Sequence, residues 1–286
     1  MTLSSKHMLL AQFLARPITM GGVAVLIVVI FSAVLAPLLA PFDPHAINPT
    51  NRLMPPNAVH WFGTDQFGRD TLSRTIYAAR MALLVGVGVV VFSLSIGVPI
   101  GILSAMFPRV GNILMRAVDV LMAFPSLLLA LGLIVILGPS VLNSIIAVGA
   151  GFLTNTTRIV YGITLRLRSE IYIDAARSMG APTSWLVVRH ILPNLVSPLL
   201  VQASFVFAFS QLAAASLDFL GVGAPPDIPS WGNMLAESRH FITRAAWLLF
   251  FPGGMIVFCA LSLNLVGDAL RDQLDPRLRS AMGGEA

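Results

Sequence analysis

Six long, charge-poor apolar segments constrain this chain more than any other feature of its sequence. A transmembrane helix needs about 20 predominantly apolar residues, and each segment is close to that length. Of the 286 residues, 56% are hydrophobic and 11% are charged, whereas soluble domains carry about 25% charge. The sequence therefore predicts an all-α, polytopic membrane protein with about six transmembrane helices. The segments are Thr19–Ala40, Ala82–Phe107, Ile113–Leu137, Val141–Val160, Leu195–Leu217 and Ala246–Val266.

The first apolar segment is expected to be a retained helix. Lys6 and Arg16 precede an uncharged run over residues 17–42. This run is longer than the roughly 7–15 apolar residues of a cleaved signal peptide. It therefore predicts a membrane span.

Basic residues are distributed unevenly between the two sides that six spans define. Cytoplasmic loops of membrane proteins carry an excess of Lys and Arg, so the uneven split predicts that both termini are cytoplasmic. The inner segments then hold Lys6, Arg16, Arg109, Arg116, Arg158, Arg166, Arg168, Arg177, Arg189, Arg271, Arg277 and Arg279. The outer segments hold Arg52, Arg69, Arg74, Arg80, Arg239 and Arg244.

Four regions follow from this topology. Residues 1–18 are a cytoplasmic N-terminus, and 19–80 hold the first transmembrane helix and an outer segment. Residues 81–270 form a core of five transmembrane helices with a cytoplasmic loop at 161–194, and 271–286 form a cytoplasmic tail. Two outer segments, Asp43–Arg80 and Gly221–Arg244, are longer than connectors need to be. Such loops are often functional.

The sequence lacks the common motifs of enzyme chemistry. A P-loop needs a lysine after a glycine-rich turn, and Lys6 is the only lysine. The chain also lacks a His-Glu-x-x-His motif, paired-cysteine metal spacing and a Gly-x-Ser-x-Gly motif. The single Cys259 lies in an apolar run and is expected to be a small buried hydrophobic residue. We therefore expect no enzyme activity, no metal and no nucleic-acid partner.

A polar stretch between the fourth and fifth spans carries the most specific signal. A first short helix is expected to end at Gly180, since glycine closes helices in the left-handed conformation. A second can begin at Pro182, which suits a first helical turn, and Pro193 is expected to stop it. This helix–turn–helix is a place for a soluble partner to bind.

The residues of this stretch resemble the EAA loop of ABC importer permeases, Glu-Ala-Ala-x3-Gly-x9-Ile-x-Leu-Pro. Asp174 takes the place of Glu and His190 that of Ile. The resemblance implies that the loop couples the permease to ATPase subunits. The residues implied in that coupling are Asp174, Ala175, Ala176, Gly180, Ala181, Pro182, Trp185, Leu192 and Pro193.

Other motifs resemble the C-type permease of dipeptide, oligopeptide and nickel importers, over nearly the whole chain. They include Gly63-Thr64-Asp65, Gly68-Arg69-Asp70, Arg116-x2-Asp119, Pro125-Ser126-Leu127, Phe219-Leu220-Gly221, Trp231-Gly232 and Gly267-Asp268. The resemblance implies a type I ABC importer permease in the bacterial inner membrane. It also implies a homologous second permease, one or two ATPase subunits that bind ATP and Mg, and an extracytoplasmic substrate-binding protein.

Several alternatives stay open at this level. Short peptides are the expected substrate, with nickel chelates, glutathione or other small solutes as alternatives. A gradient-driven secondary transporter needs acidic groups inside the spans, but Asp119, Asp218 and Asp268 fall near predicted membrane interfaces, where Arg116 or Arg271 could pair with them. A structural membrane subunit is a third class. The alternating charges from Asp65 to Arg80 could form a solvated, salt-bridged face or a docking surface.

Overall fold

The computed structural model describes residues 17–274, which form a bundle of helices. Within this range the only β-contact is an isolated bridge between Thr64 and Asp70, so the predicted all-α class is confirmed. The predicted N-terminal and C-terminal regions lie largely outside the described residues. The helices are α1 (Pro17–Val34), α2 (Ala36–Leu39), α3 (Thr71–Met106), α4 (Pro108–Met122), α5 (Ser126–Leu137), α6 (Val141–Arg168), α7 (Ile171–Ser178), α8 (Thr183–Leu186), α9 (Leu192–Phe219), α10 (Trp231–Ser238) and α11 (Trp247–Leu274).

Helices lie on all six predicted apolar segments, but they are not six equivalent spans. In the described part of the chain, three helical stretches are long and apolar enough to cross a bilayer: Thr71–Met106, Thr183–Phe219 and Trp247–Ala269. A fourth is obtained if α4 and α5 count as one broken span. The N-terminal apolar helix, Ile18–Val34, is shorter. The predicted count of six therefore exceeds the number of long, uniformly apolar helices.

The third predicted span is not a straight helix. Between α4 and α5 the chain bends by 93°, at a break that contains Pro125. A proline disfavours the helical conformation in the residue before it and has no N–H to donate. Pro125 adopts an extended ψ of 130° immediately before α5, so the sequence itself supplies the reason for the break.

Helix α3 connects the two ends of the bundle. It has 36 residues, which corresponds to a length of about 54 Å. Asp70 caps its first turn by accepting a hydrogen bond from the Ser73 N–H at 2.8 Å. Near its other end Gly101 lies so close to α6 that an added Cβ would come within 2.8 Å of the Thr157 carbonyl oxygen. Glycine at this position lets the two helices pack closely.

At the N-terminal end of α3, residues 43–70 pack with α10 into a unit that we call the polar cap. Arg74 is 1% exposed and pairs with Glu237 of α10 at 2.8 Å and with Asp65. Arg69 pairs with the same two carboxylates, at 2.8 Å and 2.6 Å. The alternating charges therefore form a buried ion network, and the interpretation of a solvated face is wrong for this part of it.

Two of the aspartates expected to pair with Arg116 or Arg271 have other partners. Asp218 is buried at the end of α9, where it accepts hydrogen bonds from the Ser230 hydroxyl at 2.6 Å and the Ala224 N–H at 2.7 Å. Asp119 pairs with Arg158 of α6. The prediction of nearby arginine partners is wrong because packing brings groups from distant segments closer. Cys259 is buried, as predicted.

Candidate functional site

The predicted loop at 161–194 lies at the end of the bundle where α3 stops. Arg168, at the end of α6, donates a hydrogen bond from its guanidinium to the Ala105 carbonyl oxygen at 2.7 Å. A groove of about 510 Å³ separates the last turns of α3 from α8; its lining includes Ile102, Met106, Val187 and Leu192. The loop is therefore in contact with a helix that runs to the opposite end of the molecule.

The turn between the two arms of the loop has the predicted conformation. Gly180 has a φ of +87°, in the left-handed region that glycine adopts readily. The Ala181 N–H bonds to the Ala176 carbonyl at 3.1 Å and the Gly180 N–H to the Arg177 carbonyl at 2.9 Å. Pro182 is the N-terminal cap residue of α8, so this helix begins at Thr183, one residue later than predicted. The turn reverses the chain and brings α7 and α8 together.

A small apolar core holds the two arms against each other. Ile173 and Ala176 from α7 pack on Leu186 from α8, and Ala181 adds to the cluster from the turn. Asp174 and Ala175 instead face outward. Asp174 pairs with the exposed Arg177 at 3.5 Å, and a pair of this kind contributes little stability. Some of the predicted site residues are therefore packed in the core of the loop, and others are exposed on its surface.

Pro193 does not end the second arm, contrary to the prediction. A π-helical turn at Val187–Ile191 joins α8 to α9, and residues 183–219 form one helical stretch. The Leu192 N–H bonds to the Val187 carbonyl, five residues back. This wider turn accommodates a proline ring that would clash with the carbonyl four residues earlier in a regular helix. The loop and the apolar helix α9 are therefore continuous.

Several large apolar side chains are exposed along the loop. Ile171 is 86% exposed and Met179 82% exposed, and Trp185 and Val188 are also exposed. We call these four residues the loop tip. Of them, only Trp185 was among the residues predicted from the sequence. Exposed apolar residues in a polar loop indicate an interaction surface, but their exposure depends on the fold, so the sequence carried no signal for the other three.

His190, which takes the place of the usual Ile, lies between aromatic side chains. Its ring centroid is 5.0 Å from that of Trp185 and 5.6 Å from that of Tyr172. Tyr172 belongs to α7 and Trp185 to α8, so the imidazole packs between the two arms. The histidine thus fills a packing position in this loop.

No group of three or more His, Cys, Asp or Glu side chains in residues 17–274 could hold a metal ion. The loop presents exposed apolar side chains, a packed turn and a helix that continues into the apolar bundle. These features describe a helical membrane protein in which a structured loop is continuous with a long apolar helix.

The chain belongs to the family of binding-protein-dependent transport system inner membrane components, whose model matches residues 97–280. A second model, for the N-terminal transmembrane domain of oligopeptide transport permease C, matches residues 7–56. The chain is thus a C-type permease subunit of an ABC importer.

The alignments with known relatives cover most of this chain and most of each relative. A putative peptide transport system permease protein of Brucella suis is 45% identical over 258 residues, 90% of this chain and 87% of its own. The dipeptide transport system permease protein of Alkalihalophilus pseudofirmus is 40% identical over 270 residues, 94% and 89%. The oligopeptide transport system permease protein of Bacillus subtilis is 38% identical over 269 residues, 94% and 88%.

A solved structure shares the fold. The match is to an inward-facing conformation of the MetNI methionine ABC transporter, with a TM-score of 0.57 and 19% identity. It covers 71% of this chain and 96% of the other. This likeness confirms the expected permease fold.

Proposed function

We propose that this chain carries short peptides across the bacterial inner membrane as one half of the translocation pathway. The observation that carries the coupling role is the continuity between the loop and α9 through the π-helical turn. The peptide substrate is supported by the names of the relatives, which are peptide, dipeptide and oligopeptide permeases. Nickel chelates and other small solutes are the alternatives.

In this proposal the partners supply the energy. One or two cytoplasmic ATPase subunits bind ATP and Mg and contact the loop tip, while this chain itself hydrolyses nothing and holds no cofactor. Closure of the ATPases moves α7 and α8 as a unit, because Ile173 and Leu186 lock them together. Ile191 and Leu195 are buried against Ile102 and Val160. The movement therefore reaches both α9 and the core of the bundle.

Two further partners complete the assembly. A homologous second permease forms the other half of the pathway, and an extracytoplasmic binding protein delivers the substrate. In this proposal both termini and the loop are cytoplasmic and the polar cap is outside, which the uneven distribution of arginines supports. The transporter then alternates between an inward-facing and an outward-facing state, with ATP biasing the equilibrium.

The coupling role can be tested with matched serine substitutions at the two ends of the molecule. Ile171→Ser removes an apolar contact from the loop tip, and Ile47→Ser removes an equally bulky exposed side chain from the polar cap. Transporter purified in mild detergent with Ile171→Ser should lose ATPase subunits and peptide-stimulated ATP hydrolysis. Ile47→Ser should retain both.

The same preparation tests the class of transporter. Proteoliposomes that contain the complete complex should accumulate peptide only with ATP inside the compartment that the loop faces. If this chain alone, without an ATPase, carried peptide along an ion gradient, the proposal would be overturned in favour of a secondary carrier.

A further inference from the structure

Polar side chains form a stripe along the exposed face of α4. Arg109, Asn112, Arg116 and Asp119 are all exposed, at spacings of three, four and three residues. These spacings place them on one side of a helix. The opposite side carries Gly111 and Val118, which are buried. Helix α4 thus presents these charged side chains outward, beside the exposed Ile113 and Val120, although it is part of the broken apolar span.

A second stripe follows helix α6. Asn155, Arg158, Gly162, Arg166 and Ser169 are exposed and recur every three or four residues. Buried residues, among them Thr156 and Val160, face the opposite way. The stripe runs for about 20 Å along the helix axis and ends where the loop begins.

The two stripes meet at the ion pair between Asp119 and Arg158. Its side chains are 54% and 52% exposed, so neighbouring helices of this chain do not bury it. One open groove of about 210 Å³, lined in part by Ser126 and Asn155, adjoins it on the far side from the loop. A second, of about 580 Å³, lined in part by Gly162 and Arg166, lies toward the loop.

The basic-residue distribution puts both stripes near the inner face of the membrane, where charged groups face water or a polar partner because exposure to hydrocarbon is costly. Elsewhere the exposed surface is suited to lipid: Val135 and Ile136 of α5 are 78% and 81% exposed. The two stripes therefore mark the side of the chain that faces water in the assembled transporter. Four arginines on them outnumber the single aspartate, which favours an anionic group.

We propose that the facing stripes of α4 and α6 line the translocation pathway on the side of the loop, and that Arg158 binds the terminal carboxylate of a passing peptide. Asp119 orients the guanidinium in the absence of substrate. This inference rests on the proposed transport of peptides and adds the residues that meet them.

Thiol labelling of the intact transporter tests where the stripes face. In a Cys259→Ala background, Asn112→Cys and Asn155→Cys place a thiol on each stripe, and Ile136→Cys is the matched exposed control on α5. A charged, membrane-impermeant thiol reagent needs the thiolate, which forms in water and not in lipid. We expect both stripe variants to react at least about tenfold faster than the control variant in at least one of two conditions, with ATP or without it. If the stripe variants react as slowly as the control in both conditions, lipid or protein covers the stripes and the proposal is overturned.

Substrate recognition is tested with Arg158→Gln and a pair of dipeptides, one with a free carboxylate and one amidated. Maximal uptake rates at saturating peptide are compared, because capture outside the membrane does not limit them. We expect the rate for the free dipeptide to fall about tenfold relative to the amide, the size expected for one hydrogen bond to a charged group. An unchanged ratio would overturn the carboxylate role.

The swapped pair Asp119→Arg with Arg158→Asp separates binding from structure. It keeps an ion pair but exchanges the positions of the two charges. We therefore expect the uptake rate of the free dipeptide to stay low relative to that of the amidated dipeptide. Full restoration of the ratio would assign the pair a purely structural role. Each preparation is also checked for its ATPase subunits. If these are retained while the uptake ratio does not change as expected, the failure concerns the role of Arg158 and not the coupling through the loop.

Discussion

The buried ion network of the polar cap makes a quantitative prediction about Arg74. Arg74→Met keeps most of the side-chain length and removes its charge. In the network, Arg69 and Arg74 balance Asp65 and Glu237, so the substitution leaves one uncompensated negative charge. Arg74 is 1% exposed, and water cannot replace its contacts without opening the cap.

The expected cost follows from the contacts that remain. Breaking a buried ion pair by removing one partner costs about 3–5 kcal/mol. Arg69 still reaches both carboxylates after the substitution, so the lower figure applies. A cost of about 3 kcal/mol corresponds to roughly a hundredfold change in the opening equilibrium of the cap.

Native-state hydrogen exchange measures this opening directly. The reporters are the amides of Leu53, Asp65 and Thr71, whose backbone hydrogen bonds close the cap. Arg177→Met is the matched control, since Arg177 is 44% exposed in a surface pair and its loss should change exchange in the loop by less than about threefold. Arg74→Met with Glu237→Gln restores neutrality and should recover most of the protection.

Two results would refute this reasoning. Cap exchange that stays within about threefold of the original chain after Arg74→Met would mean that the network does not hold the cap. Equal loss in the single and double variants would mean that side-chain packing, and not charge balance, is the source of stability.

Two predictions concern the loop. Gly180→Ala should destabilise the turn by about 1–2 kcal/mol, because the left-handed conformation is strained for an L-residue even though the new Cβ would meet no atom within 4 Å. Gly132→Ala, in an open helical position, is the control. We expect faster amide exchange at Ala181 in the Gly180 variant alone. Leu186→Ala should cost about 2–5 kcal/mol of local stability by opening a cavity, and it should uncouple ATP hydrolysis from peptide transport. Val188→Ala, at an exposed position, is the control and should leave the fold unchanged. If a protease cleaved the loop equally fast in both variants, the packing of α7 on α8 would be contradicted.

Much of the candidate site could be read from the sequence because its determinants are local. A glycine between two short helical patterns predicts the left-handed turn at Gly180 whatever surrounds it. The role of Ile173 and Leu186 as the core of the loop was missed, because their pairing depends on how the turn folds back. The loop tip was only partly found, since exposure of Ile171 and Met179 is a property of the folded surface.

The proline at 193 shows the limit of such local rules. Proline disfavours a regular helix, and the sequence therefore predicted an interruption between the loop and the fifth span. The chain instead forms a π-helical turn, in which the wider backbone leaves room for the ring. The cost of that turn is offset by the burial of Ile191 and Leu195, which no local pattern reveals.

The sequence by itself determined the membrane class, the helical fold, the position of the loop and its turn, because composition and neighbouring residues decide these. Only the tertiary structure decided which charges are buried and with which partners. Arg74 and Glu237 are 163 residues apart in the chain, and Asp119 and Arg158 are 39 apart. Ionic partners across such separations are selected by helix packing, because a charge pairs with whatever group the fold brings within a few ångströms.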